Sequence, residues 1–329
     1  MSDSTGRLGR QKVSDVEWLR GQLQKICELG DRCAGARPDI HHDYDVHTAL
    51  KLAALNHALD VFTPIAYQRA NRRPEHRRSI YVDLFAGCGA TKTREGDWLA
   101  GSPIIAANSR APFDEMILVE KSRVRLDALQ QRLIATAVKD RVVPKCLLGD
   151  SNEQVAEVIR QIRPDDLAFV TVDPEGMEPN WTTVEALVSA CPASDLFLVL
   201  TAGAERVAGN AAKGGGGEES LSRFTGRNPE EILATMGRMT VLDQYVREVE
   251  EELGKPLGVS PTIFTKDGRP VYRVLIATRR TPRNSPYFRG YQDLNRRLSG
   301  VTATMASQAI DIIKGRQSTV SDPSFSTGG

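Results

Sequence analysis

Long hydrophobic runs are missing from this chain. No stretch approaches the roughly 18 uninterrupted apolar residues of a membrane-spanning helix, so no membrane partner is expected. The opening residues MSDSTGRLGRQK contain no apolar segment, which leaves a secretory signal without its core and makes the cytoplasm the expected location. Cysteine is sparse and unpatterned: Cys27, Cys33, Cys88, Cys146 and Cys191 form no CxxC pair, which argues against a disulfide frame or a zinc site. A charge excess is missing too. With Lys+Arg 43 against Asp+Glu 42, the net charge is +1, too small to draw the whole molecule to nucleic acid. Two phosphate-binding signatures are also absent. No GxxxxGK[ST] occurs, and the turn GCGATK has Lys92 where a GxGxxG dinucleotide fingerprint needs its third glycine.

What is present fits one large α/β domain with appendages, in 329 residues that are 40% hydrophobic and 26% charged. Residues 1–12 and 315–329 are polar and expected to be disordered. VSDVEWLRGQLQKICELG has helical spacing and a terminal glycine; VHTALKLAALNHALDVFTPIAYQRA, from about 46 to 70, reads as a longer, more apolar helix. Five short β-rich runs follow at 79–85, 115–120, 141–148, 167–173 and 195–201, separated by helical patterns. That alternation predicts a parallel sheet covered on both faces. Past 201, AGNAAKGGGGEESLSRFTGRN reads as a mobile glycine-rich loop, and a helix capped by Asn228 is expected to run to Gly254. VSPTIFT and PVYRVLIATRR flank Asp267-Gly268, a hairpin signal. Seven strands with a closing antiparallel hairpin is the layout of Rossmann-like class I methyltransferases that depend on S-adenosyl-L-methionine (SAM). The expected division is an N-terminal helical or disordered extension at 1–45, this core at 46–282, and a helical segment with a disordered tail at 283–329.

Ligands of open α/β sheets bind outside the carboxyl ends of the strands, and the acids and glycines gather there. Asp83 with Phe85, Ala86, Gly87 and Gly89 closes the first run; the glycines permit a tight turn and a close approach to the backbone. Glu120 ends the second run, where a carboxylate can accept both hydroxyls of a ribose. Asp150 and Ser151 end the third, where a side-chain acceptor meets an adenine amino group. Asp173, Pro174 and Glu175 end the fourth, beside the place of a reactive methyl. Each signal alone has a plain structural reading as a turn, cap or strand stop; their order on consecutive strand ends favours a ligand. HHDYDVH (41–47) imitates a metal site but reads as a polar linker, so no metal is expected; Cys88 reads as a filler of its turn rather than a nucleophile. Two basic runs, RANRRPEHRR (69–78) and RRTPR (279–283), leave a nucleic-acid contact open.

On HTALKLAALNHALDVF, YVDLFAGCGA, LAGSPIIAAN, ILVEK, GDSN, FVTVDPEGMEPNWTTVEAL and YRVLIATRR, the chain resembles the three-Cys-motif partner proteins (TcmP), a bacterial and phage group with a methyltransferase-like core. The resemblance spans about 47–280 and implies SAM as cofactor and a three-Cys, radical-SAM-like protein as partner. It also allows a catalytically inactive scaffold. DLFAGxGA, VEK, GD and DP also resemble ribosomal RNA guanine methyltransferases, which have DPPY at the fourth strand. Glu175 stands where the TcmP group usually places an aromatic residue, and Glu175-Gly176 stand where the DPPY enzymes have Pro-Tyr. A carboxylate cannot stack on a base and repels phosphate, which weighs against base methylation more than against SAM binding.

Overall fold

The computed structural model describes residues 14–72, 78–136, 144–236, 238–279 and 285–317. The tails expected to be disordered fall almost wholly outside these residues. In chain order the elements begin with α1 (Asp15–Ala34), β1 (His42–Tyr44), α2 (Thr48–Arg72), β2 (Ser79–Asp83), β3 (Ala90–Thr93), β4 (Trp98–Ala100), α3 (Ser102–Ala107), β5 (Glu115–Glu120) and α4 (Arg123–Thr136). They continue with β6 (Lys145–Leu148), α5 (Ser151–Gln161), β7 (Leu167–Val172), α6 (Trp181–Ala190), β8 (Asp195–Thr201) and α7 (Gly203–Ala211). The remainder is α8 (Glu218–Thr225), α9 (Pro229–Thr235), α10 (Val241–Glu251), β9 (Leu257–Val259), β10 (Thr262–Phe264), β11 (Pro270–Ala277), α11 (Pro286–Ser299) and α12 (Ala303–Ile313).

The main sheet runs β10-β11-β8-β7-β2-β5-β6, with short β9 pairing beside β11. β6, β5, β2, β7 and β8 are mutually parallel, and β11 is antiparallel to β8 and β10. Central strands are buried on both faces, so their side chains alternate between two cores. Tyr81, Leu118, Phe169, Phe197 and Ile276 meet α1, α2, α11 and α12. Ile80, Val82, Ile117, Val170 and Leu198 meet α6, α7, α8 and α10. Helix α1 packs on α2, β4 and α12, so segments from both ends of the described chain share the first core.

Four details depart from the sequence reading. VSPTIFT is two strands, because Pro261 between them has no N–H for the ladder. The helix expected to reach Gly254 is two helices, with Thr240 capping α10 by accepting from the Asp243 N–H at 3.0 Å. The stretch read as a mobile loop forms the end of α7, a glycine turn and α8. Finally, β1, β3 and β4 form a second, three-stranded sheet that the sequence did not announce. β3 leaves the Gly87–Gly89 turn, turns back antiparallel into β4, and receives β1 in parallel register with His42 opposite Thr91. That pairing lays the N-terminal segment across the strand ends that carry the candidate site.

Candidate functional site

The chain runs outward from β2 through β5 to β6, then crosses back to β7 on the other side of β2. A cleft lies at this switch point, above the carboxyl ends of the parallel strands. Phe85, Ala86, Gly87, Gly89, Glu120, Asp150, Ser151, Asp173 and Glu175 all line it. Asp83 and Pro174 are not among the lining residues. Asp83 is fully buried, accepting from the Tyr81 hydroxyl at 2.9 Å and the Phe85 N–H at 3.1 Å. It holds the glycine turn from beneath. Burial raises its pKa to about 6, against the lowering effect of bonds from Ser102, Tyr81 and Phe85.

The turn needs its glycines for different reasons. Gly87 and Gly89 have φ of 61° and 78°, in the left-handed region. A Cβ on Gly89 would stand 2.7 Å from Leu129 Cδ1, so that glycine serves the core. A Cβ on Gly87 would stand 3.1 Å from His42 Nε2 on the cleft side. The approach that Gly87 opens is thus occupied by the His42 ring. Cys88 is buried and donates its thiol to the Ala90 carbonyl at 3.2 Å, as a filler of the turn would.

On the other side of the cleft, Glu120 is 6% exposed, and its Oε1 accepts from the Ser122 N–H at 2.8 Å. Asp150 caps α5 by accepting from the Asn152 N–H at 2.9 Å. Ser151 Oγ is buried without a hydrogen-bond partner among the described residues. A buried hydroxyl left unpaired at a helix N-terminus in a cleft wall suits a polar ligand atom. The residues of this half therefore fit the ribose and base of an adenosine, while the His42 ring crowds the glycine half.

The loop after β7 is stitched in place. Glu178 Oε2 accepts from the Gly176 N–H at 2.6 Å, and Asn152 bonds the Glu178 carbonyl at 2.9 Å and the Asn180 N–H at 2.9 Å. This fixes Asp173 and leaves Glu175 exposed. The partner of Asp173 is Lys51, a residue the sequence reading passed over. Its Nζ lies 2.9 Å from Asp173 Oδ1, and Lys51 is only 7% exposed. The ammonium also sits 5.3 Å from the Tyr44 ring centre and 5.1 Å from that of Tyr272, a two-ring cation cage. The Tyr272 hydroxyl in turn meets Thr48 Oγ1 at 3.1 Å. The one available signal was a lone lysine inside the apolar run HTALKLAALNHALDVF.

His42 stacks on Tyr44 at 5.6 Å and approaches Glu175 Oε1 with Nδ1 at 3.4 Å. Burial, helped by the Arg125 charge, lowers its pKa to about 4 against the pull of Glu175. The ring is neutral near pH 7, so its contact with Glu175 is dipolar rather than a salt bridge. Burial pushes the Tyr44 phenol up to about 12. The other histidines of HHDYDVH diverge: His41 meets Trp98 edge-on, and His47 tilts against Tyr272.

The described ends of the basic runs face away from the cleft. Arg78, just before β2, pairs with Glu115 at 2.6 Å and Asp166 at 2.7 Å. Arg279, just after β11, lies 3.6 Å from Asp195 and over the Tyr287 ring at 4.5 Å. Both stand at the opposite edge of the sheet and answer local carboxylates. Residues 73–77 and 280–283 of these runs lie outside the described residues.

A parallel sheet closed by an antiparallel strand between its last two members, with a cleft at the switch point, defines a Rossmann-like class I methyltransferase fold. No family model matches the chain, and no curated protein matches it. Among solved structures, a Legionella pneumophila protein is 11% identical over 74% of this chain and 94% of its own, with a TM-score of 0.44. A Bacillus cereus O-methyltransferase in complex with SAH is 13% identical over 82% of this chain and 93% of its own, with a TM-score of 0.39. A Streptomyces achromogenes O-methyltransferase in complex with SAM is 13% identical over 65% of this chain and 78% of its own, at 0.33. Scores this low add nothing to the strand order, which carries the assignment. No helix among the described residues is long and apolar enough to cross a membrane.

Proposed function

We propose that the chain is a SAM-dependent methyltransferase. One observation carries the reading: acids and glycines from four consecutive parallel strand ends line a single cleft at the switch point. In this reading Glu120 receives the ribose hydroxyls, Asp150 and Ser151 meet the base, and the 85–89 turn receives the methionine end. SAM, when bound, supplies a methyl carried on a sulfonium. Asp173 and Glu175 orient the attacking group, and Lys51 holds the Asp173 carboxylate in place at the mouth of the cleft. Catalysis of this kind asks chiefly for placement.

The finer reading follows the TcmP resemblance: action in the cytoplasm alongside a three-Cys, radical-SAM-like protein. Nucleic-acid modification is the weaker branch, since Arg78 and Arg279 are engaged on the far edge of the sheet and Glu175 is a carboxylate. A second reading, a scaffold without turnover, draws on the His42 ring lying over Gly87. Calorimetric titration of the chain with SAM and with NADH, alone and with the partner, tests all of this. Micromolar SAM binding without NADH binding, abolished by Glu120→Ala, is the expected result. Binding of neither by the chain alone or with its partner overturns the enzyme reading and leaves the scaffold.

A further inference from the structure

The glycine run at 214–217 is a built turn rather than slack chain. Gly214, Gly216 and Gly217 have φ of 72°, 84° and 109°, backbone that residues with a Cβ rarely adopt. At Gly215 a side chain is disfavoured by contact, since a Cβ there would stand 2.2 Å from Asn210 Oδ1. Asn210 Nδ2 donates to the carbonyls of Gly215 at 2.7 Å and Gly216 at 3.2 Å, clamping the turn onto α7.

The turn is one wall of a groove. Its floor is a single face of α7, where Gly203, Arg206, Val207 and Asn210 follow helical spacing, while Ala204, Ala208 and Ala211 are buried on the other face. The opposite wall is Glu175, Gly176 and Met177 from the loop after β7. The groove is open to solvent and offers about 620 Å³, within the range of small-molecule sites. Glu175 lines both groove and cleft, so the groove opens beside Asp173. Arg206 is exposed on its floor and has no ion-pair partner among the described residues. One unpaired cation suits one anionic group; a phosphate chain needs several.

We infer that this groove receives the methyl acceptor, a small molecule with a carboxylate or phosphate that pairs with Arg206 and a hydroxyl or amine that faces Glu175. The inference rests on the methyltransferase reading. In the transfer, the acceptor's lone pair bonds the methyl carbon as the carbon–sulfur bond breaks with its electrons going to sulfur. The acceptor's proton passes to the Glu175 carboxylate.

The test incubates the full chain with radiomethyl SAM and three separate fractions: a low-molecular-weight metabolite extract, total RNA and total protein. Products are resolved by anion exchange before and after phosphatase, which separates phosphate from carboxylate acceptors. The expected label is in an anionic small molecule. Arg206→Gln lowers transfer at least tenfold through KM, Arg206→Lys restores part of it, and calorimetry shows SAM affinity unchanged in both. Label in RNA or protein, label in an uncharged product, undiminished transfer by Arg206→Gln, or no transfer to any fraction while SAM binds each overturns the inference. Absence of SAM binding by wild type is a different failure, which removes the methyltransferase reading and this inference with it.

Discussion

Lys51 and Asp173, 122 residues apart in sequence, meet at 2.9 Å in the mouth of the cleft. Lys51 comes from the helix before the sheet and Asp173 from the end of a central strand, so the pair ties the covering segment to the strand ends. Removing one member of a largely buried pair strands the other's charge. Lys51→Met is expected to destabilise the fold by about 3 kcal/mol, and Asp173→Asn by a similar amount. Urea unfolding of both single variants and the double variant checks this, because coupling makes the double cost clearly less than the sum. Additive costs would show that the two charges are not coupled.

His42 and Asp83 give stability opposite dependences on pH. His42 titrates at about 4 in the fold against 6.5 ordinarily, so the unfolded chain binds more protons between those values. Its contribution is present above 6.5 and is lost as pH falls toward 4, by about 3 kcal/mol in all. Asp83 titrates at about 6 against 3.8, so here the fold binds more protons, and stability is lost as pH rises through 6. Asp83→Asn should therefore steepen the rise of stability between pH 4 and 6, and His42→Gln should flatten it or reverse its sign. Denaturant midpoints across that window measure both slopes. Unchanged slopes would remove both groups from the linkage.

Two glycines with positive φ separate backbone strain from crowding. Gly96 has φ of 93° and open space around a Cβ, whereas Gly89 adds a 2.7 Å clash with Leu129 to its φ of 78°. Gly96→Ala is expected to cost about 1 kcal/mol, and Gly89→Ala about 2–4 kcal/mol as core overpacking is added. Thermal melts order the two, and equal losses would mean that the core beside Gly89 yields.

The His42 ring stands where Gly87 leaves room. If it competes with the methionine end of SAM, His42→Ala should tighten SAM binding several-fold in a calorimetric titration. Weaker binding would instead make the ring a contact.

The sheet was readable because each parallel strand is a short apolar run and Asp267-Gly268 marks the closing hairpin. The acids and glycines of the cleft were readable because they occupy strand ends, where sequence order and spatial position coincide. Lys51, Tyr44 and Tyr272 were not, since their cage joins three segments that only the finished fold brings together. Local chemistry also misled. Four successive glycines look slack until the φ angles and the Asn210 clamp are known, and Thr240 with Asp243 was a capping signal hidden inside an apolar helical pattern.

The packing of α1 on α12 bears on how the protein is made. Ribosomes deliver α1 long before α12, yet Leu19, Leu23 and Ile26 belong to the same core as Ala306 and Ile310. Asp31 and Lys314 close the same seam with an ion pair. A nascent chain shorter than about residue 303 therefore carries a helix whose apolar face has lost part of its cover. This core should complete its folding only after α12 has emerged, and until then the exposed face of α1 invites holding chaperones.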